Sequence, residues 1–192
     1  IDTRVRALAK PQGEGRIRDV GLCNVTVRYI RAAQSIVTIA SVQVSLSPLD
    51  DENLRNGVAE YCRDTGIRLI AYRPLGGTNI KRLARDVVLS RVAARHGVSS
   101  EEMALAWLMS FGHGIVPIPG PSRIEHASSL SRALGIELDD ADRLALDAHS
   151  SGRVLRVSRV QRPPSATVAG RALIGMGMPC AGTQQVAREF AA

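Results

Sequence analysis

Apolar and polar residues divide most of this 192-residue chain into short apolar runs separated by longer amphipathic stretches. "IRDVGLCN" is a strand candidate ending at Asn24. "TVRYIRAAQSI" follows with helical spacing, and Thr26 has the side chain of an N-cap. "IASVQV" is apolar on both faces and rich in β-branched residues, the pattern of a buried parallel strand. "DDENLRNGVAEYCRDTG" opens on acids and spaces Leu54, Val58, Tyr61 and Cys62 as one helix. Gly66 supplies its C-cap. "IRLIAY" is a third strand. "IKRLARDVVLSRVAARHG" predicts one long helix ending at Gly97. "SSEEMALAWLMSF" predicts another, with a capping box from Ser99 to Glu102. "GIVPIPG" is a fourth strand, and "SRIEHASSLSRALG" and "DDADRLALDAHS" predict two closing helices.

Strand and helix thus alternate four times, with one extra helix, which argues for a parallel sheet with helical cover. Glycines and polar residues gather just after the strand ends, where such sheets carry their ligand loops. The character changes after Ser150. "SSGRVLRVSRVQRPPSATVAG" is rich in Arg and Ser, contains Pro163-Pro164, and reads as a linker. "RALIGMG" then predicts a new strand that runs into a glycine loop. The expected organisation is an α/β unit over 1–149, a linker over 150–170 and a strand-loop-helix tail over 171–192.

Composition narrows the classes. Hydrophobic residues make up 45% and charged residues 22%, ordinary for a globular domain, while aromatics are only 3%, so the core must be aliphatic. No apolar run reaches the roughly 20 residues that span a membrane. The opening "IDTRVRALAK" lacks the apolar stretch of a signal peptide, and a cytoplasmic setting is expected. It also lacks an initiator Met, which leaves room for residues upstream. Cys23, Cys62 and Cys180 are odd in number and far apart, which suits reduced thiols rather than disulfides or a zinc site. Net charge is +7, and 150–192 holds six arginines against Glu189 alone. That tail has no stacking aromatics apart from Phe190 near its end, so a solvated linker is preferred over nucleic-acid binding.

Five strand-end segments, "EGRIRDVGLCNVT", "SVQVSLSPLD", "GIRLIAYRPLGG", "HGVSSEEMALAWLM" and "VPIPGPSRIEH", resemble successive landmarks of the aldo-keto reductases. The resemblance covers roughly residues 5 to 148, in family order and spacing. It implies a partial TIM-type (β/α)8 barrel of about four β/α units, the second half of the family's barrel. It also implies NADPH as cofactor and, for the parent enzyme, hydride transfer to a small aldehyde or ketone. Asn24 and Gln43 match residues that hydrogen-bond the nicotinamide carboxamide, a task for side chains with both donor and acceptor. Tyr72 matches the aromatic that stacks on the nicotinamide ring. Leu75 and Gly76, within "PLGG", match a loop over the pyrophosphate. Gly120, Ser122 and Arg123 match the loop that grips the adenosine 2′-phosphate.

Three departures qualify the match. Cys23 replaces a serine, Arg73 replaces a small residue where it could clash or reach phosphate, and Ser129-Leu130 replaces the Glu-Asn expected at adenine. The family's catalytic Asp, Tyr, Lys and His belong to the barrel's first half, so no catalytic residue is assigned here. Tyr29 and Tyr61 fall on predicted helices; His96, His113, His126 and His149 are expected on solvated helices or turns. Four strands cannot close a barrel, so pairing with another copy or with a missing half-barrel is expected. Two other readings stay open: a non-catalytic interaction module derived from the barrel, and a P-loop kinase-type protein. For the latter, Gly177 and Gly182 have phosphate-loop spacing, but Thr183 and Gln184 stand where Lys and Ser/Thr belong. The tail therefore resembles the degenerate start of a P-loop domain.

Overall fold

The structure is a computed structural model that describes residues 3–112 and 114–151, together with the backbone strand Ile174–Met176. Helix α1 (Thr3–Gly13) leads into strand β1 (Val20–Cys23), α2 (Val27–Gln34) and β2 (Ile39–Ser45). Two short helices, α3 (Glu52–Arg55) and α4 (Val58–Asp64), lead to β3 (Arg68–Tyr72). A 3-10 turn (Gly77–Asn79), α5 (Ile80–Ala84), α6 (Val87–Arg95) and α7 (Ser100–Met109) precede β4 (Ile115–Ile118). Then come α8 (Ile124–Arg132), a 3-10 turn (Ala133–Gly135), α9 (Asp140–Ser151) and the tail strand β5 (Ile174–Met176).

The strands form one sheet in the order β4-β3-β2-β1-β5, and every pair is parallel. Consecutive strands from β1 to β4 are therefore neighbours joined by helical crossovers, the repeating unit of a (β/α) barrel. Register aligns Cys23 with Gln43, Gln43 with Ile70 and Ile70 with Val116, then Ser45 with Tyr72 and Tyr72 with Ile118. Alternation places these residues on one face and Val42, Val44, Leu69 and Ala71 on the other. The second set is essentially inaccessible, packed under Ile30, Ala33, Val58, Cys62, Leu89 and Val92 of the covering helices. Each large aliphatic residue buried there contributes about 1.5–3 kcal/mol. The first face is only half-buried, and Ile118 keeps 45% of its surface exposed.

α7 has buried residues around its whole circumference, because β4 lies on one side and α5, α6 and α8 on others. Its Trp107 meets Phe111 edge to face at 5.0 Å and donates its Nε1 hydrogen to Asp147 at 2.9 Å. The expected capping box is present: Ser99 Oγ accepts from the Glu102 amide at 3.1 Å, and the Ser99 amide donates to Glu102 Oε2 at 2.8 Å. Thr26 caps α2 through the Tyr29 amide, also as expected.

Four sequence expectations need correction. The helix expected over 50–66 is two helices, because Gly57 adopts φ 85° and Asn56 Oδ1 accepts the Val58 amide hydrogen. The long helix expected over 80–97 is also two: Asp86 Oδ1 caps the Val88 and Leu89 amides and starts α6 afresh. α1 was not foreseen. It buries only Val5 and contains Pro11, so its apolar signal is faint; the Gln12 side chain latches it to Thr38 through Nε2 and Oε1. Of the histidines expected to be solvated, His96 is partly buried instead, whereas His149 is exposed as expected, and both have a carboxylate partner. His96 Nε2 lies 2.7 Å from buried Asp142, and His149 Nε2 lies 2.5 Å from Asp86. The tail strand expected in "RALIGMG" is present as β5 on the edge of β1. Gly177, Gly182 and the helix expected beyond them lie outside the described residues, as do His113 and Cys180.

Candidate active site

The carboxyl ends of β1 to β4 share one edge of the sheet, and the sequence-derived residues fall on or just beyond it. Asn24 follows β1 directly. Its amide donates to Gln43 O at 2.8 Å, continuing the ladder one residue past the strand. Its φ of 52° then turns the chain away from the sheet. The Tyr72 hydroxyl donates to Asn24 Oδ1 at 3.1 Å, spanning the ends of β1 and β3 across β2. Gln43 lies between them on the half-buried face, and its side-chain amide makes no hydrogen bond among the described residues. The structure thus brings Asn24, Gln43 and Tyr72 into one cluster.

Arg73 also adopts a left-handed φ, 50°. Asn24 and Arg73 are the only non-glycine residues with positive φ among the described residues, and both flank this cluster. Such conformations cost about 1–3 kcal/mol and persist where the surroundings impose them, often at functional sites. From Arg73 the chain turns at once, with the Gly76 amide donating to Arg73 O at 2.8 Å. Gly76 (φ 81°) and Gly77 (φ 58°) complete the loop. The Arg73 stem lies against Gly77: a Cβ there would come within 2.9 Å of Arg73 Cδ. The Arg73 guanidinium sits 5.9 Å from the centre of the Tyr72 ring, a cation held beside the aromatic. Leu75 packs partly into the core and anchors the loop, and Gly76 lets Leu49, from the loop after β2, approach closely.

The loop after β2 is itself braced. Ser45 Oγ donates to Asp50 Oδ2 at 2.6 Å, and Asn53 Nδ2 donates to Ser45 O at 3.0 Å. Ser47 and Asp50 exchange backbone hydrogen bonds. Sequence reasoning singled out only Gln43 in this segment. The Ser-Asp-Asn spacing, a set of short polar side chains able to bond nearby backbone, was the signal it left unused.

Gly120, Ser122 and Arg123 follow β4, whose Ile118 pairs with Tyr72 in register. All three are exposed, and space around Gly120 is open to 4 Å. Arg123 is the N-cap residue of α8 in extended conformation, and its side chain makes no capping bond. These residues share the edge with the cluster but belong to its solvent-facing rim. Ser129 turns inward: its hydroxyl donates to Glu102 Oε1 at 2.8 Å. Arg132 Nη2 reaches the same oxygen at 2.8 Å, so α8 is fastened to the capping box of α7. Burial alone would raise the Glu102 pKa. The Ser99 amide, the Ser129 hydroxyl and Arg132 outweigh it and hold the carboxyl below its ordinary value. A cavity of about 320 Å³ lined by Cys62, Arg63, Ile67, Phe111 and Ile115 opens near the amino ends of β3 and β4, away from this site. No group of three His, Cys, Asp or Glu side chains among the described residues could hold a metal ion, and no helix there is long and apolar enough to cross a membrane.

A parallel sheet with polar and glycine-bearing turns at its carboxyl edge is the arrangement in which (β/α) barrels carry their ligand loops. The family model for the aldo/keto reductase family matches residues 1–151, and the chain belongs to that family. It is 28% identical over 171 residues to an NADP(+) aldo-keto reductase of Schizosaccharomyces pombe, with 73% of this chain and 50% of that protein covered. To the methylglyoxal reductase DkgB of Escherichia coli O157:H7 it is 29% identical over 152 residues, covering 77% and 54%. The thermostable aldo-keto reductase Tm1743, solved with the inhibitor epalrestat, superposes with a TM-score of 0.67 at 30% identity, covering 76% and 53%. An aldo-keto reductase from Klebsiella pneumoniae solved with NADPH shares the fold at a TM-score of 0.70 and 23% identity, covering 84% and 59%. The chain spans about half the length of the curated relatives it matches.

Proposed function

We propose that this chain is the cofactor-holding part of an NADPH-dependent aldo-keto reductase, whose whole activity is reduction of a small aldehyde or ketone. The observation that carries the reading is the Asn24–Gln43–Tyr72 cluster, with the two left-handed residues beside it. Its donor set fits a nicotinamide carboxamide. Tyr72 already occupies Asn24 Oδ1, which leaves the Asn24 amide hydrogens as donors toward a carbonyl. Gln43 retains both a donor and an acceptor. Tyr72 offers an aromatic face, and its phenol serves to orient Asn24. NADPH, when bound, supplies the hydride; the residues named here bind it and fix its orientation.

The rest of the edge suits phosphate. Gly76 and Gly77 permit the backbone to come close, and Arg73 adds a guanidinium at the same loop. Gly120, Ser122 and Arg123 supply an exposed donor rim where α8 begins. Ser129 is committed to Glu102, so this chain's contacts to an adenine base would have to come from elsewhere. The test is a titration of nicotinamide fluorescence with NADPH, alongside circular dichroism. Saturable enhancement that weakens several-fold in Tyr72→Phe and Gln43→Ala supports the reading. Folded protein with no saturable change rejects it.

A further inference from the structure

A second cavity, about 630 Å³, lies beside α5 and shares no lining residue with the cluster above; it is lined by Thr78, Asn79, Lys81, Arg82, Arg85, Asp86, Val87 and His149. We propose that this cavity binds a di- or polyphosphate anion. Lys81 and Arg82 lie on a single short helix and Arg85 is its C-cap residue, and all three line this one cavity. None of the three has an ion-pair partner among the described residues. The Thr78 and Asn79 side chains, at the helix's approach, likewise make no hydrogen bond among the described residues and add neutral donors.

The cavity also contains Asp86, but that carboxylate is already engaged. Oδ1 accepts from the Val88 and Leu89 amides, and Oδ2 lies 2.5 Å from His149 Nε2, which reaches in from α9. Lys81, Arg82 and Arg85 are the remaining charged side chains that line the cavity. A single chloride would leave most of that charge unmet. An anion carrying several charges on oxygens a few ångströms apart would meet it through charge-assisted hydrogen bonds, with the two guanidinium groups able to bind in bidentate fashion.

The experiment is isothermal titration of the full chain with inorganic pyrophosphate at low salt, repeated with ADP to separate a free polyphosphate from a nucleotide-borne one. Single-site, saturable binding that weakens at least tenfold in Arg85→Gln and in Lys81→Gln supports the proposal. Tighter binding of ADP than of pyrophosphate assigns the nucleotide source; equal or weaker binding assigns the free anion. These side chains are exposed, so the variants should fold, as circular dichroism will confirm. Arg91→Gln, an exposed arginine of α6 outside the cavity, is the control and should bind like the parent. An equal loss in the control indicates diffuse charge attraction and overturns the proposal, as does the absence of saturable binding. NADPH affinity should be unchanged in Arg85→Gln; a parallel loss would assign these cations to the dinucleotide and also overturn it.

Discussion

Glu102 joins two helices that flank the candidate site, and its removal gives a calculable result. The side chain is nearly inaccessible, at 3% exposure, while its partner Arg132 is 64% exposed. In Glu102→Ala the Ser99 amide loses its reciprocal cap, worth about 1 kcal/mol. The Ser129 hydroxyl loses a charged acceptor at 2.8 Å, worth about 1–2 kcal/mol. The exposed Arg132 pair is screened and adds at most a few tenths of a kcal/mol. The sum is about 2–3 kcal/mol. Glu102→Gln should cost less, about 1 kcal/mol, because a glutamine oxygen still closes the capping box. The pH dependence adds an independent check. Glu102 titrates lower folded than unfolded, so its stabilisation is complete above the unfolded glutamate pKa and fades as pH falls through the folded value. The gap between parent and Glu102→Gln should therefore narrow below about pH 4. Urea unfolding followed by Trp107 fluorescence reads it, since the chain has one tryptophan and it lies in the same helix. A Glu102→Ala variant within 0.5 kcal/mol of the parent at pH 7, or a gap that persists unchanged in acid, would refute the reasoning.

Other substitutions probe the site and its supports. Gly77→Ala should destabilise the fold by about 1 kcal/mol, because φ 58° disfavours a side chain and Arg73 must shift from a 2.9 Å contact; thermal denaturation measures it, and NADPH affinity should fall with it. Asp86→Ala removes the cap of α6 and the partner of His149, for about 1–2 kcal/mol in urea unfolding at pH 7. Burial raises the Asp86 pKa, but the Leu89 amide and His149 lower it further, so this contribution too is present above the unfolded aspartate pKa and lost in acid. Burial pushes the Cys62 thiol up to about 12, so a thiol reagent at pH 8 should leave Cys62 unmodified in the folded chain while reaching partly exposed Cys23. Peptide mapping by mass spectrometry would show the difference, and modification of Cys62 at the Cys23 rate would contradict it.

Strand positions were readable from sequence because each is a compact apolar run, and all four land where periodicity placed them. Their order followed from the alternation of strand and helix. The two split helices were not readable in the same way: Leu54, Val58 and Cys62 keep helical spacing across Gly57, so the apolar pattern runs through the break. Asp86 interrupts an equally continuous pattern, and its capping role depends on backbone amides that composition does not display. At the site, the family resemblance of the ordered strand-end segments singled out Asn24, Gln43 and Tyr72, but it did not show the hydrogen bond between Tyr72 and Asn24. That bond needs β1 and β3 to sit on either side of β2, a property of sheet order rather than of local sequence. The left-handed Arg73 was hidden for a different reason, since arginine has no preference for that conformation and the fold imposes it. The role of Ser129 also required structure, because only the packing of α8 on α7 brings it to Glu102.

Hydrogen exchange with and without NADPH tests the central claim most directly. If the carboxyl edge of the sheet holds the dinucleotide, added NADPH should slow exchange in the segments around 24–26, 72–77 and 120–124 and leave the amino-end cavity at Ile67 and Phe111 unchanged. Protection at that opposite end, or no protection in any of the three segments at saturating NADPH, would contradict the account.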